Sequence, residues 1–240
     1  MDETTNKDIY TVLKNRVLNG HYNIKMRLPT EESLIEEFNV SRYAIRKAIK
    51  QLVDEGLVYS VKGKGVVVLE QTPKSQEINL SLQKIDGIQA LNDVKKVKRQ
   101  TFISDFQQVI VDEELSHVTS FAIGIPVYAI KRVRRINNKN AVLDVNYFNA
   151  QIVPDITPEI AKGSIYNYIK DNLHMKIAVV KRQLRIEHAS QVDYENLNLG
   201  VNNCVGNMIN FAFNDDGKQF EYTESHFIPD NFVFNQIIKF

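Results

Sequence analysis

Three stretches of helical periodicity open the chain. Ile9, Val12, Leu13 and Val17 recur at intervals of one helical turn, and Gly20 follows as a stop. In "RLPTEESLIEEF", Thr30 is placed to cap a second helix. Glu31 and Glu32 occupy its first turn, where the helix dipole favours acids, and Leu34, Ile35 and Phe38 form its apolar side. Ser41 caps a third helix. Its Ile45, Ala48, Ile49, Leu52 and Val53 make an i, i+3, i+4, i+7, i+8 stripe, and Gly56 ends it. The second and third helices are separated only by "NVS", which is helix-turn-helix spacing. "LVYSV" and "VVVLE" then predict two short strands, with "KGKG" turning between them. The order predicts a winged helix-turn-helix over residues 1–70.

A polar, proline-containing stretch, "EQTPKSQEIN", follows and predicts a linker over residues 71–80. Beyond it, over residues 81–240, the pattern changes to strands. Strand signals cover 101–111, 125–136, 141–149, 176–189, 206–214 and 218–228, with short helices at 112–121, 163–173 and 190–199. The turns "NNKN" and "NDDG" make hairpins of their flanking strands. Helix, strand, turn and strand run from 112 to 149, and the order recurs from 190 to 228. A shift of 77 residues superposes Arg134 on Phe211, Leu143 on Phe220 and Asp144 on Glu221. Two pseudo-equivalent hairpins in one mainly antiparallel sheet are expected, so the whole chain is α+β.

Composition adds limits. The chain has 240 residues, a formal net charge of +1, 43% hydrophobic and 25% charged residues, ordinary values for a globular protein. A nucleic-acid site must therefore be a local basic patch. A single cysteine, Cys204, rules out an intrachain disulfide and agrees with a reducing compartment. The first residues, "MDETTNKDIY", have no apolar signal core, and no run of about 18 apolar residues is present to span a membrane. A cytoplasmic protein is expected.

Two places carry candidate chemistry. Arg42, Arg46, Lys47 and Lys50 lie off the apolar stripe of the third helix, and Arg42 and Arg46 stack near its N-terminal end, the end a recognition helix presents to a major groove. Lys62 and Lys64 sit on the wing, where Gly63 and Gly65 let the backbone approach a phosphate. In the second region, alternation puts Tyr128, Ile130, Arg132 and Arg134 on one strand face. Guanidinium forks beside apolar neighbours suit phosphate or carboxylate. Ser164 in "GSIY" can cap a helix whose free N–H groups seat an anion, while Asp144 and Glu221 are placed to accept sugar hydroxyls. Surface arginines paired with acids and a plain helix cap are the simpler reading of the same residues. The histidines (His21, His117, His174, His188 and His226) have no metal-ligand spacing, and Cys204 lacks a nucleophile motif. No enzyme, metal or cofactor is expected.

Residues 27–68 resemble the DNA-binding domain of the GntR family of bacterial transcription regulators. The resemblance rests on Leu28-Pro29-Thr30-Glu31, on Val40-Ser41-Arg42 with Arg46 and Ala48, on Leu52 with Gly56-Leu57, and on Gly63-Lys64-Gly65. Tyr43-Ala44 depart from the family near a usual threonine. The resemblance implies DNA contacts from Arg42, Arg46, Gly63, Lys64 and Gly65, and Tyr43, Lys47 and Lys62 are expected to join them from their places on the third helix and the wing. It also implies a homodimer on a palindromic operator.

The region after the linker resembles the effector domain of the HutC subgroup, the UTRA domain, which is similar to the chorismate lyase fold. The matching residues are Pro126-Val127-Tyr128, Arg132-x-Arg134, Gly163-Ser164-Ile165-Tyr166, and Glu221 with Asp230. That resemblance implies a sugar-phosphate effector. Arg132, Arg134, Ser164 and Tyr166 would hold the phosphate with help from backbone near Ile88-Gln89, and Asp144 and Glu221 would hold the sugar. Phe227 stands where some relatives carry tyrosine. "SIYNYIKDNL", "RRINNKNAVLDVNYFNAQIVPDITPEIA" and "FEYTESHFIPDNFVF" look like the trehalose operon repressors of Gram-positive bacteria, which implies trehalose 6-phosphate as inducer. N-acetylglucosamine 6-phosphate is the alternative effector, and a small-molecule lyase the alternative class.

Overall fold

The structure, a computed structural model, describes residues 3–70, 79–80 and 98–234, which fall into two compact units divided between residues 76 and 77. The predicted linker residues 71–78 lie outside the described residues.

In the first unit, α1 (Glu3–Leu18), α2 (Glu31–Phe38) and α3 (Arg42–Asp54) precede β1 (Val58–Val61) and β2 (Gly65–Val68). Both predicted caps form. Thr30 Oγ1 accepts from the Ser33 N–H at 3.2 Å, and Ser41 Oγ accepts from the Ala44 N–H at 3.3 Å. Asn39, left-handed at φ 51°, ends α2 and turns the chain towards α3. Leu13 and Val17 of α1 meet Leu34 of α2 and Ile45, Ala48 and Leu52 of α3 in one core, all buried. Each of the leucine, isoleucine and valine side chains among them contributes on the order of 1.5–3 kcal/mol by leaving water. Val12, assigned to the apolar stripe from its spacing, is instead exposed at the edge of α1. β1 and β2 form the antiparallel wing from Val58↔Val68 to Val61↔Gly65. Met26 and Leu28 add a third edge to it, through Leu28 N–H to Val66 O and Val68 N–H to Met26 O, both 2.9 Å.

The second unit is built on a six-stranded antiparallel sheet in the order β4-β5-β6-β9-β8-β7. Its strands are β4 (Arg99–Ile110), β5 (Pro126–Ile136), β6 (Lys139–Asn149), β7 (Ile177–His188), β8 (Cys204–Asn214) and β9 (Gln219–Phe227). A two-residue strand, β3 (Asn79–Leu80), pairs in parallel with β10 (Val233–Phe234), so the last two residues of the predicted linker are in a strand of this unit.

The internal repeat is real and longer than its hairpins. The first half, β4, α4 (Glu113–Thr119), β5 and β6, is matched by β7, α7 (Gln191–Asn196), β8 and β9. The strand order reads the same from either edge. Asn146 pairs with Thr223, the residue 77 positions on, so each sits opposite its own counterpart and marks the pseudo-twofold axis between β6 and β9. Each helix crosses to the other half. Leu115 of α4 packs with Ile209 and Tyr222, whereas Leu197 at the end of α7 packs with Val133 and Leu143.

The opposite face is covered by the segment between the halves, comprising α5 (Pro158–Lys162), α6 (Ile165–Asn167) and a π turn over Tyr168–Asn172. The single helix expected over 163–173 is thus a short α turn running into a π turn. Ala161, Ile165 and Ile169 seal it onto Ile130, Phe148 and Ala212.

Candidate functional site

Two surfaces hold the residues singled out above, one in each unit. In the first, Ser41 starts α3 so that Arg42, Tyr43 and Arg46 face outward. All three are exposed, with Tyr43 at 73%, and Lys47 is partly so. Lys62, Gly63, Lys64 and Gly65 form the exposed tip of the wing. Gly63 and Gly65 have φ of +77° and +81°, a backbone that side chains with a Cβ strongly disfavour, so the tight basic tip depends on glycine.

The cations already have partners. Arg42 Nη2 donates to Glu32 Oε1 at 2.9 Å, and Arg46 Nε donates to both Glu31 carboxylate oxygens at 3.0 and 3.1 Å. The acids of the α2 first turn therefore serve the helix dipole and also fasten the outward cations of α3. Exposed pairs of this kind are worth about 0–1 kcal/mol, so a phosphate can displace them at little expense.

The second surface is one connected network on the α5 side of the sheet. β5 supplies Arg132 and Arg134, β6 supplies Asp144 and Asn146, and β9 supplies Glu221, Thr223 and Ser225. Arg134 Nε donates to Asp144 Oδ2 at 2.5 Å, and Arg132 Nη2 lies 3.6 Å from the same oxygen. Ser225 Oγ donates to Asp144 Oδ1 at 2.6 Å. Arg132 Nε donates to Asn146 Oδ1 at 2.9 Å, and Asn146 Nδ2 donates to Thr223 Oγ1 at 2.7 Å. Thr223 Oγ1 donates to Glu221 Oε1 at 2.6 Å, and Tyr166 donates to Glu221 Oε2 at 2.5 Å. Arg182, on β7, stands close enough to Glu221 and Tyr166 to act on both electrostatically, and its Nε donates to Asn210 Oδ1 at 2.7 Å.

Burial sets the charges. The Arg132 side chain is 7% exposed and that of Asp144 2%. Burial, with the like charge of Arg134, pulls the Arg132 guanidinium down to about 10, so it stays a cation at neutral pH. Burial pushes the Asp144 carboxyl up, but Arg134, Arg132 and the Ser225 hydroxyl outweigh it and hold it below the ordinary carboxylate range. Glu221 goes the other way. Burial raises it, and the hydrogen bonds from Thr223 and Tyr166 only partly offset the rise. The site thus gathers Arg132, Arg134 and Arg182 around the carboxyls of Asp144, held below its ordinary range, and Glu221, pushed above it by burial. Its balance is positive, in a place where charge is poorly screened.

Arg132, Arg134, Asp144, Tyr166 and Glu221 meet in one network. Ser164 caps α6, its Oγ accepting the Asn167 N–H at 3.1 Å, two residues before Tyr166. Phe227 shares the face of Ser225 but is fully buried against Phe232, with ring centroids 5.7 Å apart. Ile88 and Gln89 lie outside the described residues. The residues not foreseen are Asn146, Thr223, Ser225, Arg182 and Asn210. The first three were open to the same alternation that placed Arg132 and Arg134, being two and four residues beyond Asp144 or Glu221 on their strands. Arg182 and Asn210 depend on the β7–β8 register. Among the described residues, no group of three or more His, Cys, Asp or Glu is arranged to hold a metal ion. Also among the described residues, no helix is long and apolar enough to cross a membrane.

A capped, cation-bearing helix with a glycine wing, joined to a sheet with a buried polar network, defines a DNA-binding regulator with a small-molecule domain. Residues 5–68 match the bacterial regulatory proteins of the gntR family, and residues 97–233 match the UTRA domain. The chain belongs to this family, in its HutC/UTRA subgroup. It is 29% identical to the Bacillus subtilis HTH-type transcriptional regulator GmuR over 225 residues, 94% of each chain. It is 26% identical to the B. subtilis regulator TreR over 226 residues, covering 94% of this chain and 93% of that one. Among solved structures, B. subtilis YydK, a possible transcriptional regulator, matches with a TM-score of 0.76 at 21% identity, over 98% of this chain and 99% of that one. The effector binding domain of the B. subtilis trehalose repressor TreR matches with a TM-score of 0.55 at 27% identity, over 58% of this chain and 97% of that domain.

Proposed function

We propose that the chain is a homodimeric cytoplasmic repressor that releases its operator on binding a phosphorylated sugar, with trehalose 6-phosphate as the effector. The carrying observation is the electropositive balance of the buried network, in which Arg132 and Arg134 face Asp144 and Arg182 stands beside Glu221, three guanidinium groups against two carboxyls. A dianionic phosphate supplies the missing charge, and guanidinium forks bind it in two-pronged fashion. Asp144, Asn146 and Glu221 offer oxygens to sugar hydroxyls. Likeness to a trehalose repressor over its effector binding domain supports the choice of sugar.

On the DNA, Arg42, Tyr43, Arg46 and Lys47 enter the major groove. Lys62 and Lys64 hold the backbone beside Gly63 and Gly65. Two such units read the two half-sites of a palindrome. The effector acts by binding the arrangement that does not fit both half-sites, since equal affinity for both would shift nothing.

A thermal-shift panel tests this, with trehalose 6-phosphate, glucose 6-phosphate, N-acetylglucosamine 6-phosphate and free trehalose. Ligand at about a hundred times its Kd adds roughly 2.7 kcal/mol to the state it binds. A rise with trehalose 6-phosphate and none with trehalose is expected. A rise with a different sugar phosphate keeps the phosphate site and discards the trehalose assignment. No rise with any phosphate overturns the effector reading.

A further inference from the structure

Phe232 stands between the arginine network and the end of the linker. Ser225, whose hydroxyl donates to Asp144, lies two residues before Phe227 on the same face of β9. Phe227 is fully buried and stands in register with Gly206 of β8. The ring of Phe232 packs against it, with centroids 5.7 Å apart, and fills the space above Gly206. A Cβ at Gly206 would stand 2.1 Å from Phe232 Cγ and 2.4 Å from each Cδ, closer than unbonded carbons approach, so only glycine leaves room for the ring.

The chain between the two rings has little slack. Ile228 N–H donates to Ala141 O at 3.0 Å, Asn231 N–H to Ile228 O at 2.9 Å and Phe232 N–H to Pro229 O at 3.1 Å. Next to Phe232 begins β10, which pairs with β3, the last two residues of the predicted linker. Among the described residues, β3 pairs with no other strand. A ladder two residues long is marginal by itself, so β3 stays docked only while β10 is held in place. The Phe232 ring on Gly206 is the packed anchor beside it. Segments held this weakly are the ones that open and close in switching. Asp144 is at the other end of the line. An anion taken up by Arg132 and Arg134 competes with Asp144 for both, and Ser225, Phe227 and Phe232 follow in series behind that carboxylate. A closely packed interior passes a shift along such a line.

We propose that Phe232 is a positioning residue whose ring, seated on Gly206, couples the Asp144–Ser225 end of the network to β3, so that occupancy of the network sets how firmly the linker is fastened to the effector sheet. Fastened and loosened linkers are then the two arrangements between which the effector selects. The coupling rests on the effector reading above; the fastening of β3 does not.

The full chain tests it through two variants. Phe232→Ala removes the ring, and Gly206→Ala expels it by adding one atom, so the second variant stands if the first folds poorly. In both, hydrogen exchange at residues 79–80 and 233–234 should rise at least about fivefold over wild type. Coupling of the usual size, about 5- to 150-fold between effector and operator, should fall below about threefold by anisotropy on labelled operator DNA. Calorimetry should still show trehalose 6-phosphate binding within about tenfold of wild type, a split that a merely structural role would not produce. Phe232→Leu refills the space above Gly206 and should restore the coupling. Unchanged exchange at 79–80 in both variants overturns the proposal. So does release of operator as in wild type, or loss of effector binding in parallel with the coupling. Wild-type protein that stays on operator DNA with every sugar phosphate overturns the effector reading instead, and exchange at 79–80 still decides whether Phe232 fastens β3.

Discussion

Asp144 is the residue on which the buried arginines depend. It touches Arg134, Arg132 and Ser225 at once, and almost none of it meets water. Removing one partner from a buried ion pair costs about 3–5 kcal/mol, because the charges left behind have nothing to face. Asp144→Ala should therefore lower stability by that order, read as a drop in denaturation midpoint. Arg132→Ala is different, since Arg134 still faces Asp144. It should leave the fold and operator binding in place while abolishing release by effector, measured by fluorescence anisotropy on labelled operator DNA. Glu31 acts in the opposite sense on the other unit. It holds Arg46 by two hydrogen bonds in the absence of DNA. Glu31→Gln should free that cation and tighten DNA binding by about two- to fivefold, the equivalent of an exposed pair of up to ~1 kcal/mol. The gain should appear on random as well as operator DNA, because a phosphate contact carries no sequence information.

At the scale of the element, the wing and the α3 N-terminus are held by single atoms. Ser41 supplies the hydroxyl that caps α3, and Ser41→Ala should cost about 1 kcal/mol by thermal melt. Gly65→Val, at φ +81°, asks a β-branched residue to adopt a left-handed backbone, which costs roughly 1–2 kcal/mol. No atom lies within 4 Å of the position a Cβ would take, so the penalty comes from the backbone alone. The altered tip should also bind DNA more weakly, which anisotropy would show alongside the melt.

At the scale of the molecule, helix and sheet within the C-terminal half of the second unit are latched together, and the latch titrates. His226 on β9 bridges Asp193 of α7 and Glu224. Burial pulls the imidazole down, but hydrogen bonds to the two carboxylates outweigh it and lift it from 6.5 to about 9. A base held more strongly in the folded state stabilises it fully below its unfolded value and loses that contribution as pH rises through the folded one. Asp193 and Glu224 are held below their ordinary values of 3.8 and 4.5, so their contribution is lost on acidification instead. Thermal midpoints should decline from about pH 6.5 to pH 9, and His226→Gln should flatten that decline.

Much of this was legible along the chain. Period 3.6 and capping residues located the helices around Leu34 and Ile45, and period two located the strands and put Arg132 and Arg134 on one face. Both signals come from neighbours a few residues apart, which is why a linear pattern carries them. Family motifs such as Val40-Ser41-Arg42 and Gly63-Lys64-Gly65 added the DNA-reading role. Register and packing decided the rest. That Arg46 rests on Glu31, that Asn146 meets Thr223 on the pseudo-dyad, that α4 and α7 cross to opposite halves and that Phe232 sits on Gly206 all depend on residues distant in the chain. The sequence by itself determined which elements form and which faces are apolar. Only the tertiary structure decided which charges are buried together, because burial and partnership depend on how strands align across the sheet and not on spacing within any one of them.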